Sequence, residues 1–248
     1  MPRYFLELSY KGERYSGFQV QENAITIQSE VEKAFEIFFK KNIELTGSSR
    51  TDAGVHALQN YFHFDWEEEF NSRQLYNINA ILPEDIVLKS VKQVADDAHC
   101  RFNAISREYK YYMYFQKDPF LQDRAWFFPF KIDKAILNQT SGIVLQNRHF
   151  ISFSRQNTQV RTFECTVEES RWAEEEGMMI YHVKANRFLR GMVRALVSSM
   201  LQTARGNKSI SDFQSLFSSP QQASADFSAP AKGLFLCKVN YPDTQFEK

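Results

Sequence analysis

Apolar and polar residues change period several times along this chain, and each change marks an element. Residues 3–10 alternate, with Tyr4, Leu6, Leu8 and Tyr10 on one side, and predict a strand. Thr26 is placed to cap a helix whose apolar stripe is Val31, Ala34, Phe35 and Phe38. Residues 43–46 predict one strand, residues 58–66 an aromatic-rich second, and residues 72–82 a helix stopped by Pro83. Residues 86–94 predict a further strand. The first part of the chain thus reads β-α-β-β-α-β, the ferredoxin-like arrangement also found in RNA-recognition domains.

The second half begins near Arg107. Tyr109, Tyr111, Met113 and Phe115 share one face of a predicted strand, while Lys110, Tyr112 and Tyr114 share the other. A helix is predicted over 133–145, then strands over 160–171 and 178–185, joined through Glu174-Glu175-Glu176-Gly177. Residues 187–205 carry the strongest helical pattern, with Leu189, Met192, Val193, Leu196, Val197, Met200 and Leu201 as its stripe. On that helix Arg187, Arg190 and Arg194 would flank the stripe. Ser209 is placed to cap a short helix ending near Ser218, and residues 233–241 predict the last strand. Residues 221–231, rich in Ala and Ser, are the expected mobile loop.

One turn carries candidate chemistry. In Gly47-Ser48-Ser49-Arg50-Thr51-Asp52-Ala53-Gly54-Val55-His56-Ala57 a carboxylate sits among small residues beside an arginine, between two predicted strands. The flanking glycines permit unusual backbone angles and close approach of a bulky substrate. Asp52 in such a place can be a nucleophile, a general base or an electrostatic stabiliser, or it can simply cap the turn.

Composition narrows the class only modestly. The 248 residues can bury a sizeable core as one large domain or two packed halves, and 43% hydrophobic with 24% charged is ordinary for a globular protein. Aromatic residues reach 15%, so packing leans on rings. No apolar run approaches a membrane helix, and the N-terminus enters a strand pattern without a signal-peptide core. Cys100, Cys165 and Cys237 are widely spaced, which indicates neither a disulfide framework nor a zinc site; the cytoplasm is the expected location. His56 and His63 have no third ligand at sensible spacing and do not predict a metal pair. Net charge is zero, yet it is segregated. Lys184, Arg187, Arg190, Arg194, Arg205 and Lys208 fall in a stretch without Asp or Glu, a distribution that can build a basic surface on a neutral protein.

Arg50-Thr51-Asp52-Ala53-Gly54-Val55-His56 resembles the active-site motif of the TruA family of tRNA pseudouridine synthases. Further matches follow in that family's order: Tyr10-Lys11-Gly12, Tyr15-Ser16-Gly17-Phe18-Gln19-Val20-Gln21, Arg101-Phe102, Arg107-Glu108-Tyr109-Lys110-Tyr111, Asn186-Arg187-Phe188-Leu189-Arg190-Gly191-Met192-Val193-Arg194 and Lys232-Gly233-Leu234-Phe235-Leu236. Together they span nearly the whole chain. Ser49 stands where the family usually has Gly, Phe18 where it has Trp, and His149 where an Asp is common; Arg190, Gly191 and Ser198 also depart from its commoner residues.

The resemblance implies an α+β protein of two ferredoxin-like or RRM-like α/β halves, residues 1–104 and 105–248. They would form an extended, mainly antiparallel sheet with helices on one side and a central basic cleft. It implies a homodimer that isomerises uridines 38, 39 and 40 of the tRNA anticodon stem-loop, without metal or cofactor. Asp52 would be the catalytic carboxylate, Arg194 its cation, and Tyr109 a ring against the target base. Arg50 would hold the RNA backbone while the uridine is extruded, and Leu234 would wall the pocket. Lys184, Arg187, Arg190 and Arg205 would contact phosphates. Two other classes stay open: a base hydrolase using Asp52, which lacks the usual second acid, and a non-catalytic RNA-binding module.

Overall fold

Tyr4, Leu6, Leu8 and Tyr10 all point into the core, each at most 5% exposed, in a computed structural model that describes residues 1–155, 160–219 and 225–246. Among those residues nine strands, mixed in direction, and five α-helices make an α+β protein. No helix there is long and apolar enough to cross a membrane. Contacts divide the chain into two units, residues 1–105 with 236–248 and residues 106–235.

In the first unit β1 (Arg3–Tyr10) lies between β3 (His56–Asp65) and β4 (Ile86–Val94), antiparallel to both. A short β2 (Thr46–Gly47) pairs antiparallel with β3, which gives the 4-1-3-2 order of a ferredoxin-like unit. The expected strand over 43–46 shrinks to those two residues because helix α1 (Ile27–Phe39) satisfies its backbone instead. Glu32 accepts from the Leu45 N–H at 3.1 Å and Gln28 donates to the Leu45 carbonyl at 2.8 Å. Ile43 and Leu45 still bury their side chains, so their apolar pattern is real but not that of a strand. Thr26 does cap α1, through a capping box with Ser29. Helix α2 (Ser72–Asn79) packs on β4. Rings dominate this core: Phe18 stacks on Phe62 at 4.7 Å, and Phe35 meets Phe64 edge-on at 5.5 Å.

The second unit has a related succession with an added short strand and an added helix. Its strands β5 (Ser106–Tyr114), β8 (Met178–Ala185) and β7 (Val167–Glu175) lie in the order 5-8-7, each pair antiparallel, with Tyr109 opposite Val183 and Tyr111 opposite Tyr181. A two-residue β6 (Trp126–Phe127) runs parallel to β5. Helix α3 (Lys134–Gln146) packs on β7 and on α4 (Met192–Ala204), and α5 (Ile210–Ser218), capped by Ser209, packs on both helices. The strand expected over 160–171 begins only at Val167. The expected connection over 174–177 shortens to Glu176 and Gly177, both at positive φ, as a two-residue hairpin turn requires. The last strand, β9 (Leu234–Asn240), starts in the second unit and ends in the first, where Val239 N–H donates to Gln59 at 3.1 Å.

The helix expected from residue 187 begins at Met192 instead. Gly191 takes φ +77° at its N-cap, so Arg187 and Arg190 lie on the preceding segment, not on a helical flank with Arg194. Of the loop expected over 221–231, residues 221–224 lie outside the described residues. The part after them is tied to α4: Ser198 accepts from Ala229 N–H at 2.6 Å and Ser199 from Asp226 N–H at 3.2 Å.

Candidate active site

The Asp52 turn is rigid because buried neutral groups hold its backbone on both sides. Asn60, fully buried on β3, donates to the Ser49 carbonyl at 2.8 Å and to the Tyr10 hydroxyl at 3.3 Å. The Tyr10 and Thr51 hydroxyls share a 2.8 Å hydrogen bond, and Phe18 N–H donates to the Thr51 carbonyl at 3.1 Å. Burial pushes the Tyr10 phenol well above its usual range, so it stays neutral in this network. The Asp52 carbonyl closes the turn by accepting from Val55 N–H at 3.1 Å, while Gly54 takes φ +79°. Thr51 and Val55 are buried, Asp52 is half-buried and Arg50 and Ala53 are exposed, so the carboxylate residue sits at the solvent edge of a fixed loop.

A second segment, residues 11–18, is wedged against this turn. Gly12 N–H donates to His56 Nδ1 at 3.2 Å, and a Cβ on Gly12 would lie 2.0 Å from the Val55 carbonyl oxygen. Gly17 takes φ +104° over Thr51. A Cβ on Gly47 would meet the Phe18 ring at 2.3 Å, so the ring takes the space beside that glycine. Phe18, in place of the family's usual Trp, thus fills the seam between the two loops. Ser49 is buried with its carbonyl used by Asn60, which a glycine would do equally well. Asn60 is the residue that sequence reasoning missed here; the sequence marks Tyr10 as a strand and motif residue but does not show its bond to Thr51. The available signal was a lone amide facing inward on an aromatic strand.

The other candidates stand in the second unit. Tyr109 on β5 is buried, its ring edge-on to Phe188 at 5.0 Å. Arg194, half-buried in the first turn of α4, donates through Nε to the Ala229 carbonyl at 2.7 Å, and its charge reaches the buried Tyr111 phenol. Tyr111 is the core tyrosine of the pair: fully buried, it donates to the Pro230 carbonyl at 2.8 Å. Leu234 is buried at the start of β9, after Gly233, whose missing Cβ would come 2.8 Å from the Tyr111 ring. The structure therefore gathers Arg194, Tyr111 and residues 229–233 around one segment.

The basic residues are less alike than their spacing suggests. Lys184 pairs with Glu168 across the β7–β8 ladder at 2.9 Å, so the acid-free stretch of sequence acquires acid in the fold. The Arg205 guanidinium stacks over Phe130, 3.8 Å from its centroid. Arg187 is half-buried near Cys165, and Arg190 is exposed. His149 is exposed and lies 3.6 Å from Glu164. Among the three cysteines none forms a disulfide. One correction concerns His63, for which the sequence offered no third ligand: folding brings His99 and Cys100 beside it.

Residues 8–103 and 147–242 match the family model described as tRNA pseudouridine synthase. The chain belongs to that family. It is 38% identical over 248 residues to the tRNA pseudouridine synthase A of Azobacteroides pseudotrichonymphae, with both chains fully covered. It is 36% identical to the protein of that name from Parabacteroides distasonis, covering 99% of this chain and 98% of the other. To that of Staphylococcus aureus strain MRSA252 it is 34% identical, covering 99% and 93%. The first segment matched by the pseudouridine synthase model holds Asp52 and the loop that braces it; the second holds Arg194 and Leu234. Tyr109 falls between the two matched segments.

Proposed function

We propose that this protein is a tRNA pseudouridine synthase that isomerises uridines 38, 39 and 40 of the anticodon stem-loop, with Asp52 as its catalytic carboxylate. The observation that carries the reading is the Asp52 turn itself: a half-buried carboxylate on a backbone locked by Tyr10, Phe18 and Asn60. Such preorganisation suits a reaction in which a group must stay placed while the substrate moves. In the reaction the N1–C1′ bond breaks, the uracil turns, and C5 bonds to C1′; the C5 proton is lost and N1 gains one. Atoms and electrons balance without a redox partner. Asp52 acts near C1′, either by attack or by removing the ribose 2′ proton.

Arg194 is the cation that the family resemblance assigns to the site, and Tyr109 lies against the base, where a ring tolerates rotation of the uracil. Leu234 walls the pocket, Arg50 holds the backbone of the extruded nucleotide, and Arg187, Arg190, Lys184 and Arg205 contribute to RNA affinity. The finer architecture is the one the family resemblance implies: two α/β halves with helices on one side, a central basic cleft, and a cytoplasmic homodimer. The test is incubation with unmodified tRNA and mapping of pseudouridine at nucleotide resolution. The expected products are pseudouridines in the anticodon stem-loop; free uracil with an abasic ribose would instead identify a hydrolase. Asp52→Asn should abolish product while tRNA binding stays near wild type.

A further inference from the structure

We infer that His63, His99 and Cys100 form a binding site for a thiophilic divalent cation, Zn²⁺ in the first instance. One ring nitrogen of each histidine and the Cys100 sulfur lie within 4.8 Å of one another. The His63 Nδ1 to Cys100 Sγ separation is 3.2 Å. Zinc bonds of about 2.3 Å to sulfur and 2.0–2.1 Å to nitrogen, at a tetrahedral angle, require an N···S edge of about 3.6 Å. The observed edge is therefore within a few tenths of an ångström of what the ion needs.

In the metal-free chain each Nδ1 lone pair accepts a backbone N–H, His63 from Cys100 at 3.4 Å and His99 from Arg101 at 3.1 Å, so ligation through Nδ1 replaces these hydrogen bonds. Imidazole with thiolate is a zinc-type donor set. Binding takes one proton from the Cys100 thiol, which now donates to the Thr46 carbonyl at 3.1 Å. Arg3 acts on both rings and Arg101 on His99; Arg3 is held in a two-pronged pair with Asp65 at 2.7 and 2.8 Å, which offsets its charge. His63 also lines a surface groove of about 380 Å³ with Thr46, Asp65 and Trp66, which gives an ion a way in.

Among the described residues no fourth His, Cys, Asp or Glu joins the group, so solvent completes the tetrahedron. The ion's effect is positional. It ties β3, through His63, to the turn carrying His99 and Cys100, whose carbonyl accepts from Tyr241 at 2.5 Å. Gly47, which follows Thr46, opens the Asp52 loop.

The test uses the full chain without a polyhistidine tag, titrated with Co²⁺ and then with Zn²⁺. The expected result is a thiolate-to-cobalt charge-transfer band that saturates at one equivalent and is bleached by Zn²⁺. Cys100→Ser should lose the band. His99→Asn, at a half-exposed position, should weaken cobalt binding by roughly tenfold or more. Absence of the band in wild type, with circular dichroism showing a folded chain, overturns the site. So does a band that persists unchanged in both variants, which would place the metal at Cys165 or Cys237.

Discussion

Asp52 owes its position to neighbours that carry no charge. Asn60, Tyr10 and Phe18 fix the backbone around it, and Gly12 lets the bracing loop press within contact of Val55. Gly12→Ala forces a methyl against a backbone oxygen that cannot swing aside, so it should cost about 1–3 kcal/mol and most of the activity. Urea unfolding and single-turnover assays check this; normal values in both would show that the two loops separate freely. Arg194 makes a different prediction. Arg194→Lys keeps the charge but loses the planar fork and the Nε bond to Ala229, and should retain only part of the single-turnover rate. Arg194→Ala should lose nearly all of it. A normal rate with weakened tRNA binding would reduce Arg194 to a phosphate contact. Contiguous motifs singled out Asp52 and Arg194 in the sequence. It left Asn60, His99 and Cys100 unread, because their meaning depends on partners 11, 36 and 37 positions away, respectively Ser49, His63 and His63.

At the level of elements, local signals fared best where they acted alone. The Thr26 and Ser209 capping boxes start their helices as the side chains dictate. The start of α4 was misread because the apolar period runs on through Leu189, whereas Gly191 at φ +77° interrupts the helix. Gly191→Ala should therefore destabilise the protein by about 1–2 kcal/mol, the penalty of a side chain in the left-handed region. An unchanged urea midpoint would count against that account. The β7–β8 hairpin supplies a pH dependence. His182 accepts from Arg171 at Nδ1 and donates from Nε2 to Glu175, an arrangement that suits the neutral ring, and burial lowers its pKa below 6.5. Below pH 6.5 the unfolded chain then binds more protons than the folded one, so this contribution, complete above 6.5, fades as pH falls toward the folded value. Unfolding free energies measured from pH 7.5 to 5 should fall less steeply in His182→Gln. Identical slopes would remove His182 as the cause.

For the molecule as a whole, charge has to be counted in space. Arg187→Ala and Arg190→Ala should each reduce the salt dependence of log K for tRNA by roughly 0.7 to 0.9 if one phosphate contact is lost. Lys184→Ala should change it less, because Glu168 already offsets that charge. Slopes unchanged from wild type in all three variants would place the RNA track elsewhere. Strand pairing shows the same limit of local reading: the period of residues 233–241 announced a strand, but nothing local says that most of it completes the first unit. That division has a consequence for synthesis. A ribosome delivers residues 1–105 first, yet β3 receives Val239 only after the intervening 130 or so residues have followed, roughly 6 to 26 s later at ~5–20 residues per second. Through that interval the part of β3 that β2 leaves uncovered stays an unpaired edge, a natural client for a chaperone, while the later-made second unit is free to close ahead of it.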